Sequence, residues 1–346
     1  MKNDMKSIKH LVRPNITALS PYSSARDEFT GGEGVFLDAN ESPFGTLNRY
    51  PDPYQKVLKE QLSKIKQVGA NQLFIGNGSD EVIDLLLRIC CRPGIDKALT
   101  FVPTYGMYEV SAAINDVPLV KVPLNTAFQI DLELLKPYLN DDTLKVIFLC
   151  SPNNPTGNCM DSHTIEQILQ RFNGIVMVDE AYIDFAKANS LLPLIDEYHN
   201  LVVSQTFSKA WGLAGARIGT AYACTEIISL FNKIKPPYNV SSLNQQAALQ
   251  ALDTYAAFKD RVALILAEKE RVALALKELT QVQTVYPSDA NFLLIEVEDA
   301  NRLYAYLISK QLIVRNRTAQ ITNCLRITIG TPEENDKLLN AIKTFV

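Results

Sequence analysis

The chain has no apolar run of the roughly 18 residues that a bilayer-spanning helix requires. Its opening residues, MKNDMKSIKH, lack the apolar core and small-residue cleavage site of a secretory signal. The expected address is therefore the cytosol, with no membrane partner. No long basic stretch is present either: 34 lysines and arginines are interspersed with 38 aspartates and glutamates, for a net charge of -4. That balance lacks the electrostatic footprint of a nucleic-acid-binding protein, and it points to small-molecule partners. The six cysteines (Cys90, Cys91, Cys150, Cys159, Cys224, Cys324) form no CxxC pair and lie mostly in apolar segments. They are expected to be reduced core residues. Only three histidines occur, His10, His163 and His199, too scattered to suggest a metal site. Internal repeats and low-complexity tracts are absent.

The 346 residues suffice for one large and one small domain. Short runs that are apolar on both faces alternate with helix-like segments: KALTFV (97–102), LKVIFLC (144–150), GIVMVDEAY (174–182), LVVSQTF (201–207) and RIGTAYA (217–223). This pattern predicts an α/β fold, a mostly parallel sheet sandwiched by helices. Pro236 and Pro237 stop any helix, and an alanine- and leucine-rich helical stretch follows from about Ser242 to Leu279. NFLLIEV (291–297), QLIVRN (311–316) and LRITIG (325–330) read as strands, with a helix between the first two. Thr331-Pro332-Glu333-Glu334 is a capping box that opens a closing helix. The expected organisation is an N-terminal arm with part of a small domain (1–43), a large domain (44–237), and a connector helix with a smaller α+β domain (238–346). The arm, with Gly31, Gly32 and Gly34 among its turn formers, is expected to pack on something other than itself.

The chemistry gathers around Lys209, in TFSKAWGLAGARIG, eight residues before Arg217 and thirty after Asp179. A lysine that forms an imine, an aspartate behind a buried strand that pairs with a pyridine nitrogen, and an arginine that clamps phosphate make up the set needed to hold pyridoxal phosphate. A lone lysine is ordinarily a solvated surface residue. Here Ala210 and Trp211 are expected to shield it and lower its pKa. Asp179 ends an apolar strand at the carboxyl edge, where open α/β sheets bind ligands. Tyr182 and Asn154, the latter in SPNNPTG, are placed to hydrogen-bond a cofactor ring oxygen, although Asn154 alone would pass for a turn residue. IGNGSDEVIDLLLRICCRPG joins a glycine-rich turn to a helix. The free N–H groups of Gly78, Ser79 and Asp80 suit phosphate there, with plain capping by Ser79 or Asp80 as the compatible alternative. Thr206, Ser208 and Arg217 would complete that cup. Tyr105 offers a face to stack on the cofactor ring, or a core tyrosine.

SPNNPTG, VDEAY, SKA followed by GLAGARIG, and the late arginine of CLRITIG together resemble the fold type I, aspartate-aminotransferase-like enzymes that use pyridoxal phosphate. The likeness covers almost the whole chain in the right order. LSPYSSAR (19–26), LDANESPFG (37–45), RYPDP (49–53), PTYGMY (103–108), Arg315 and Arg326 look like the histidinol-phosphate aminotransferase family, with Trp211 where phenylalanine is expected. The resemblance implies amino transfer between L-histidinol phosphate and 2-oxoglutarate, giving imidazole acetol phosphate and L-glutamate. It also implies a homodimer in which Tyr50 reaches the cofactor phosphate of the neighbouring subunit. Arg326 would clamp the substrate anion, with Arg315 and Tyr22 adding donors that favour phosphate. The same motifs leave open an aminotransferase for aromatic amino acids and an amino-acid phosphate decarboxylase.

Overall fold

The computed structural model describes residues 8–22 and 34–345. Seven strands form the main sheet: β1 (Leu73–Asn77), β2 (Lys97–Val102), β3 (Leu119–Pro123), β4 (Leu144–Cys150), β5 (Ile175–Asp179), β6 (Leu201–Thr206) and β7 (Ile218–Ala223). Their order is β1-β7-β6-β5-β4-β2-β3, parallel except for β7, which runs antiparallel to β1 and β6. The both-face apolar runs have the expected consequence. Ile175 and Met177 of β5 join one core cluster while Val176 and Val178 join the other. β4 divides the same way, with Val146 and Phe148 on one side and Ile147 and Leu149 on the other. Period-two alternation thus buries both faces under helices. Among the described residues no helix is long and apolar enough to cross a membrane.

A second, antiparallel sheet runs in the order β10-β11-β9-β8, from β8 (Val282–Val285), β9 (Phe292–Val297), β10 (Arg315–Asn316) and β11 (Cys324–Thr328). It has its own core, where Leu293, Ile295, Leu325 and Ile327 meet Leu303, Leu307, Leu338 and Ile342 of two covering helices. The closing helix, Pro332–Lys343, starts at the capping box read from the sequence: the Thr331 hydroxyl accepts from the Glu334 N–H, and the Glu334 carboxylate accepts from that of Thr331.

The structure corrects two expectations. The stretch from Ser242 to Leu279 is two helices, Ser242–Asp253 and Tyr255–Lys277. They break at Thr254, whose hydroxyl donates back to the carbonyls of Gln250 and Ala251 and competes with helix continuation. The strand expected over 311–316 shrinks to Arg315–Asn316. Gln311 takes a φ of 61° and the Leu312 N–H donates to the Leu307 carbonyl, so the first half of that segment ends a helix. The start of the arm packs on the chain's own large-sheet layer: Ile8 and Leu11 are buried against helix Ser79–Cys90, and the Arg13 N–H donates to the Ile89 carbonyl at 2.9 Å. Gly31, Gly32 and Ser23–Arg26 lie outside the described residues.

Gly219 of β7 lies directly under the turn that begins helix Ser79–Cys90, and a Cβ there would run into the backbone of Gly78 and Ser79. Replacing it with alanine is therefore expected to destabilise the chain by about 1–3 kcal/mol, read as a lower urea midpoint at an unchanged slope. A midpoint equal to wild type would show that this contact is looser than the structure has it.

Candidate active site

The carboxyl ends of the parallel strands and the start of the antiparallel β7 lie along one edge of the main sheet. That edge brings together nearly all of the residues singled out in the sequence. Ser79, Asp80, Tyr105, Asn154, Asp179, Tyr182, Thr206, Ser208, Lys209, Arg217, Arg315 and Arg326 line a single cavity of about 360 Å³. This volume is in the range of sites that bind small organic molecules.

Asp179 sits at the bottom, paired in register with Cys150 of the neighbouring strand. It is 2% exposed and forms no ion pair among the described residues. Its carboxylate accepts from the Tyr108 hydroxyl at 2.9 Å and from the Ala181 N–H at 3.1 Å. Burial outweighs these two bonds and pushes the carboxyl up to about 6. Lys209, in the turn after β6, lines the same cavity, with its ammonium 5.7 Å from the centre of the Tyr182 ring. The apolar shield expected from Ala210 and Trp211 is not built. Both turn into the core, where Trp211 stacks on Phe258 with ring centres 3.9 Å apart, and Lys209 stays open to the cavity. Its pKa is nevertheless lowered, first by the protein around it and then by the charge of Arg326.

At one end of the cavity, helix Ser79–Cys90 begins at Gly78, whose φ of 81° suits glycine and which makes no side-chain cap. Neither Ser79 nor Asp80 caps the helix, so its first N–H groups point outward as an anion-binding end. Arg217, itself at a φ of 50°, lies across this helix start. Its guanidinium meets the Asp80 carboxylate at 3.4 Å, and Asp80 also accepts from the Tyr105 hydroxyl at 3.0 Å. The Thr206 hydroxyl accepts from the Ser208 N–H at 3.1 Å, which fixes the turn into Lys209. These groups fit a phosphate, and the buried carboxylate without a cation of its own fits a protonated ring nitrogen. Both are features of pyridoxal phosphate.

The opposite wall belongs to the small sheet. The Arg326 guanidinium donates to the Asn154 side-chain oxygen at 2.5 Å and lies 5.2 Å from the Phe292 ring centre, while the Asn154 amide faces the Tyr182 hydroxyl at 3.5 Å. Burial lowers the pKa of Arg326 and raises that of Tyr182. Two of the singled-out residues stand elsewhere. Tyr50 is stacked on Tyr238 with ring centres 4.3 Å apart, in a groove with Asn40, Glu41 and Leu243, and Tyr22 is 69% exposed. Sequence reading missed Tyr108 and Arg317. Tyr108, in the first turn of helix Met107–Ile114, meets the ring of Tyr105 edge-on at 5.6 Å under the same site, and Arg317 follows Arg315 by the two residues that keep a strand face.

The profile of aminotransferase class I and II matches residues 33–342. A histidinol-phosphate aminotransferase from Cytophaga hutchinsonii is 50% identical, over 98% of this chain and 99% of that relative. One from Parabacteroides distasonis is 52% identical, over 99% of each. The chain belongs to the histidinol-phosphate aminotransferase family. Among solved structures, the histidinol-phosphate aminotransferase from Sinorhizobium meliloti, in complex with pyridoxal-5'-phosphate, is similar with a TM-score of 0.79. It is 25% identical, over 88% of this chain and 89% of that one. The burial of Asp179 carries a cost to the folded chain.

The raised pKa fixes the sign of that cost. Below about pH 4 the folded and unfolded carboxyls are both protonated and the cost vanishes. It grows as pH rises towards 6 and is complete above that value. Asp179→Asn is therefore expected to stabilise the cofactor-free chain at pH 8 by on the order of 1–3 kcal/mol, with a smaller gain at pH 5, both measured by urea unfolding. A variant that is less stable at pH 8 would mean that the carboxylate is fully compensated by its neighbours.

Proposed function

We propose that this chain transfers the amino group of L-histidinol phosphate to 2-oxoglutarate, reversibly, using pyridoxal phosphate held through Lys209. The observation that carries this reading is the meeting of Lys209, Asp179, Arg217 and Arg326 around one cavity. Pyridoxal phosphate, when bound, supplies an electron sink and carries the amino group between the two half-reactions.

The protein's own share is positional and electrostatic. The helix start at Ser79, together with Ser208 and Arg217, would hold the cofactor's phosphate through N–H donors and a guanidinium fork. Asp179 would keep the ring nitrogen protonated, and Tyr108 keeps Asp179 in place. Asn154 and Tyr182 supply donors for the ring oxygen, and the half-buried Tyr105 is the aromatic wall beside it. Lys209, its pKa lowered by burial and then by the charge of Arg326, gives up its proton more readily than a solvated lysine. Once free it takes the proton from the substrate Cα. Arg326, flanked by Arg315, binds the phosphate of histidinol phosphate in one half-reaction and a carboxylate of glutamate in the other.

Tyr50 and Tyr22 complete the proposal through a homodimer, in which Tyr50 contacts the cofactor phosphate of the partner subunit. The exposed apolar side chains of Val35, Leu37, Phe44 and Leu47 around that segment support such an interface. The enzyme would act in the cytosol.

Purified protein supplied with pyridoxal phosphate is expected to show an imine absorbance band that is lost on adding histidinol phosphate and returns with 2-oxoglutarate. Initial rates should give parallel lines when one substrate is varied at fixed levels of the other. Intersecting lines would sink the two-step cycle, and a band that answers to tyrosine or releases carbon dioxide from O-phosphothreonine would replace the substrate assignment. Lys209→Ala should lose the band and slow turnover at least ~1000-fold; retained activity would remove Lys209 from the chemistry.

A further inference from the structure

Arginine at 317 is accounted for by neither the fold nor the clamp at Arg326. β10 pairs with β11 so that Arg315 stands directly across from Arg326. The ladder runs one step further, with the Arg317 N–H donating to the Cys324 carbonyl at 2.9 Å. Extended residues two apart point the same way, so Arg315, Arg317 and Arg326 share one face of the small sheet, and all three line the site cavity. Asn316, between them, points away and bonds Asn301.

Among the described residues these cations have no counter-charge. Among the described residues Arg317 makes no ion pair and no side-chain hydrogen bond, and its Nε is buried without an acceptor, as is that of Arg326. Buried guanidinium donors without acceptors are costly unless a ligand supplies them. A carboxylate has two oxygens and one charge, which a single arginine fork satisfies. A phosphate monoester carries close to two charges and three terminal oxygens, enough to occupy further guanidinium groups.

We propose that Arg317 is a specificity-determining residue, a third guanidinium that makes this wall of the site prefer a substrate phosphate dianion over a carboxylate. The assignment rests on the histidinol-phosphate reading above. Burial, followed by the charges of Arg326 and Arg315, lowers the pKa of Arg317 to about 10, so it stays charged at neutral pH against the repulsion of its neighbours. A dianion seated among the three relieves that repulsion, whereas a monoanion on Arg326 leaves Arg317 unanswered.

The test compares wild type, Arg317→Gln and Arg317→Lys as holoenzymes, in which the cofactor's own phosphate already fills the cup at the helix start. The two half-reactions are followed separately by absorbance, and inorganic phosphate serves as an inhibitor of the glutamate half-reaction. Arg317→Gln should raise KM for histidinol phosphate and the inhibition constant of inorganic phosphate about 10- to 100-fold. It should change kcat and the glutamate KM by no more than about threefold, and Arg317→Lys should recover part of the phosphate affinity. Equal losses in both half-reactions, or an unchanged inhibition constant for phosphate, would overturn the assignment. Should wild type ignore histidinol phosphate, the substrate reading fails on its own, and the phosphate inhibition constants still decide the role of Arg317. A misfolded Gln variant would show in its thermal melt, and the Lys variant then carries the comparison.

Discussion

A carboxylate that the fold buries without giving it a cation lies at the centre of this structure. Asp179 is placed there by its strand: Ile175 to Val178 alternate into two cores, so the next residue emerges at the sheet edge with protein on every side but one. The Tyr108 hydroxyl and one backbone N–H offset part of the desolvation, and the raised pKa measures what is left. Electrostatics then arrange the rest. Lys209 stands beside the carboxylate, Arg217 lies towards the helix start, and Arg326, Arg317 and Arg315 form the far wall. A cation at the bottom and anions at both ends would neutralise this layout. A phosphorylated pyridine ring and an anionic substrate carry those charges in that arrangement.

The reversed strand β7 matters to the same edge. In an all-parallel sheet the edge would receive only strand ends. Because β7 runs backwards, its beginning lies there and carries Arg217 to the cup. The geometry is tight on both sides, since Gly219 admits no Cβ against the backbone of Gly78 and Ser79, and Arg217 itself adopts a left-handed φ that side chains other than glycine seldom take. Strain held at such a position marks a residue whose direction is set by the site and not by local preference.

Legibility in the sequence followed burial, with one exception: β1 is buried but runs straight into the glycine-rich turn, and was not read as a strand. β2, β4, β5, β6 and β7 could be read because both faces of each are apolar, and Lys209, Asp179 and Arg217 because their spacing to those strands puts them at one edge. β3 and β8 were not read: their residues are largely half-exposed and give no clean alternation. β10 is two residues long and owes its existence to β11, a tertiary pairing that local pattern does not encode. Tyr108 and Arg317 were missed for a related reason. Each looks like an ordinary core or surface residue until Asp179 or Arg326 is placed beside it. Tyr22 and Tyr50 entered by family resemblance alone, and one chain puts both outside the cavity lining.

The two walls of the site belong to different cores, and their spacing is set by one helix. Tyr255–Lys277 buries Phe258 and Val262 in the core of the main sheet and Val272 and Leu276 in that of the small sheet. Phe258 is also the platform on which Trp211 stacks, two residues from Lys209. The helix that supports the arginine-bearing sheet thus buttresses the lysine turn. A second tie runs through Asp289, whose N–H donates to the Gly157 carbonyl and whose carboxylate accepts from the Cys159 N–H, pinning the Asn154 loop to the small sheet just where Arg326 reaches across to it. In the proposed reaction, proton transfer by Lys209 requires the substrate Cα within hydrogen-bond reach, and the substrate's far anion would be held by Arg326. Fixing the distance between these residues would therefore select substrates by length as well as by charge. On that reading the phenylalanine–tryptophan stack and the Asp289 tie would act on specificity without touching the substrate.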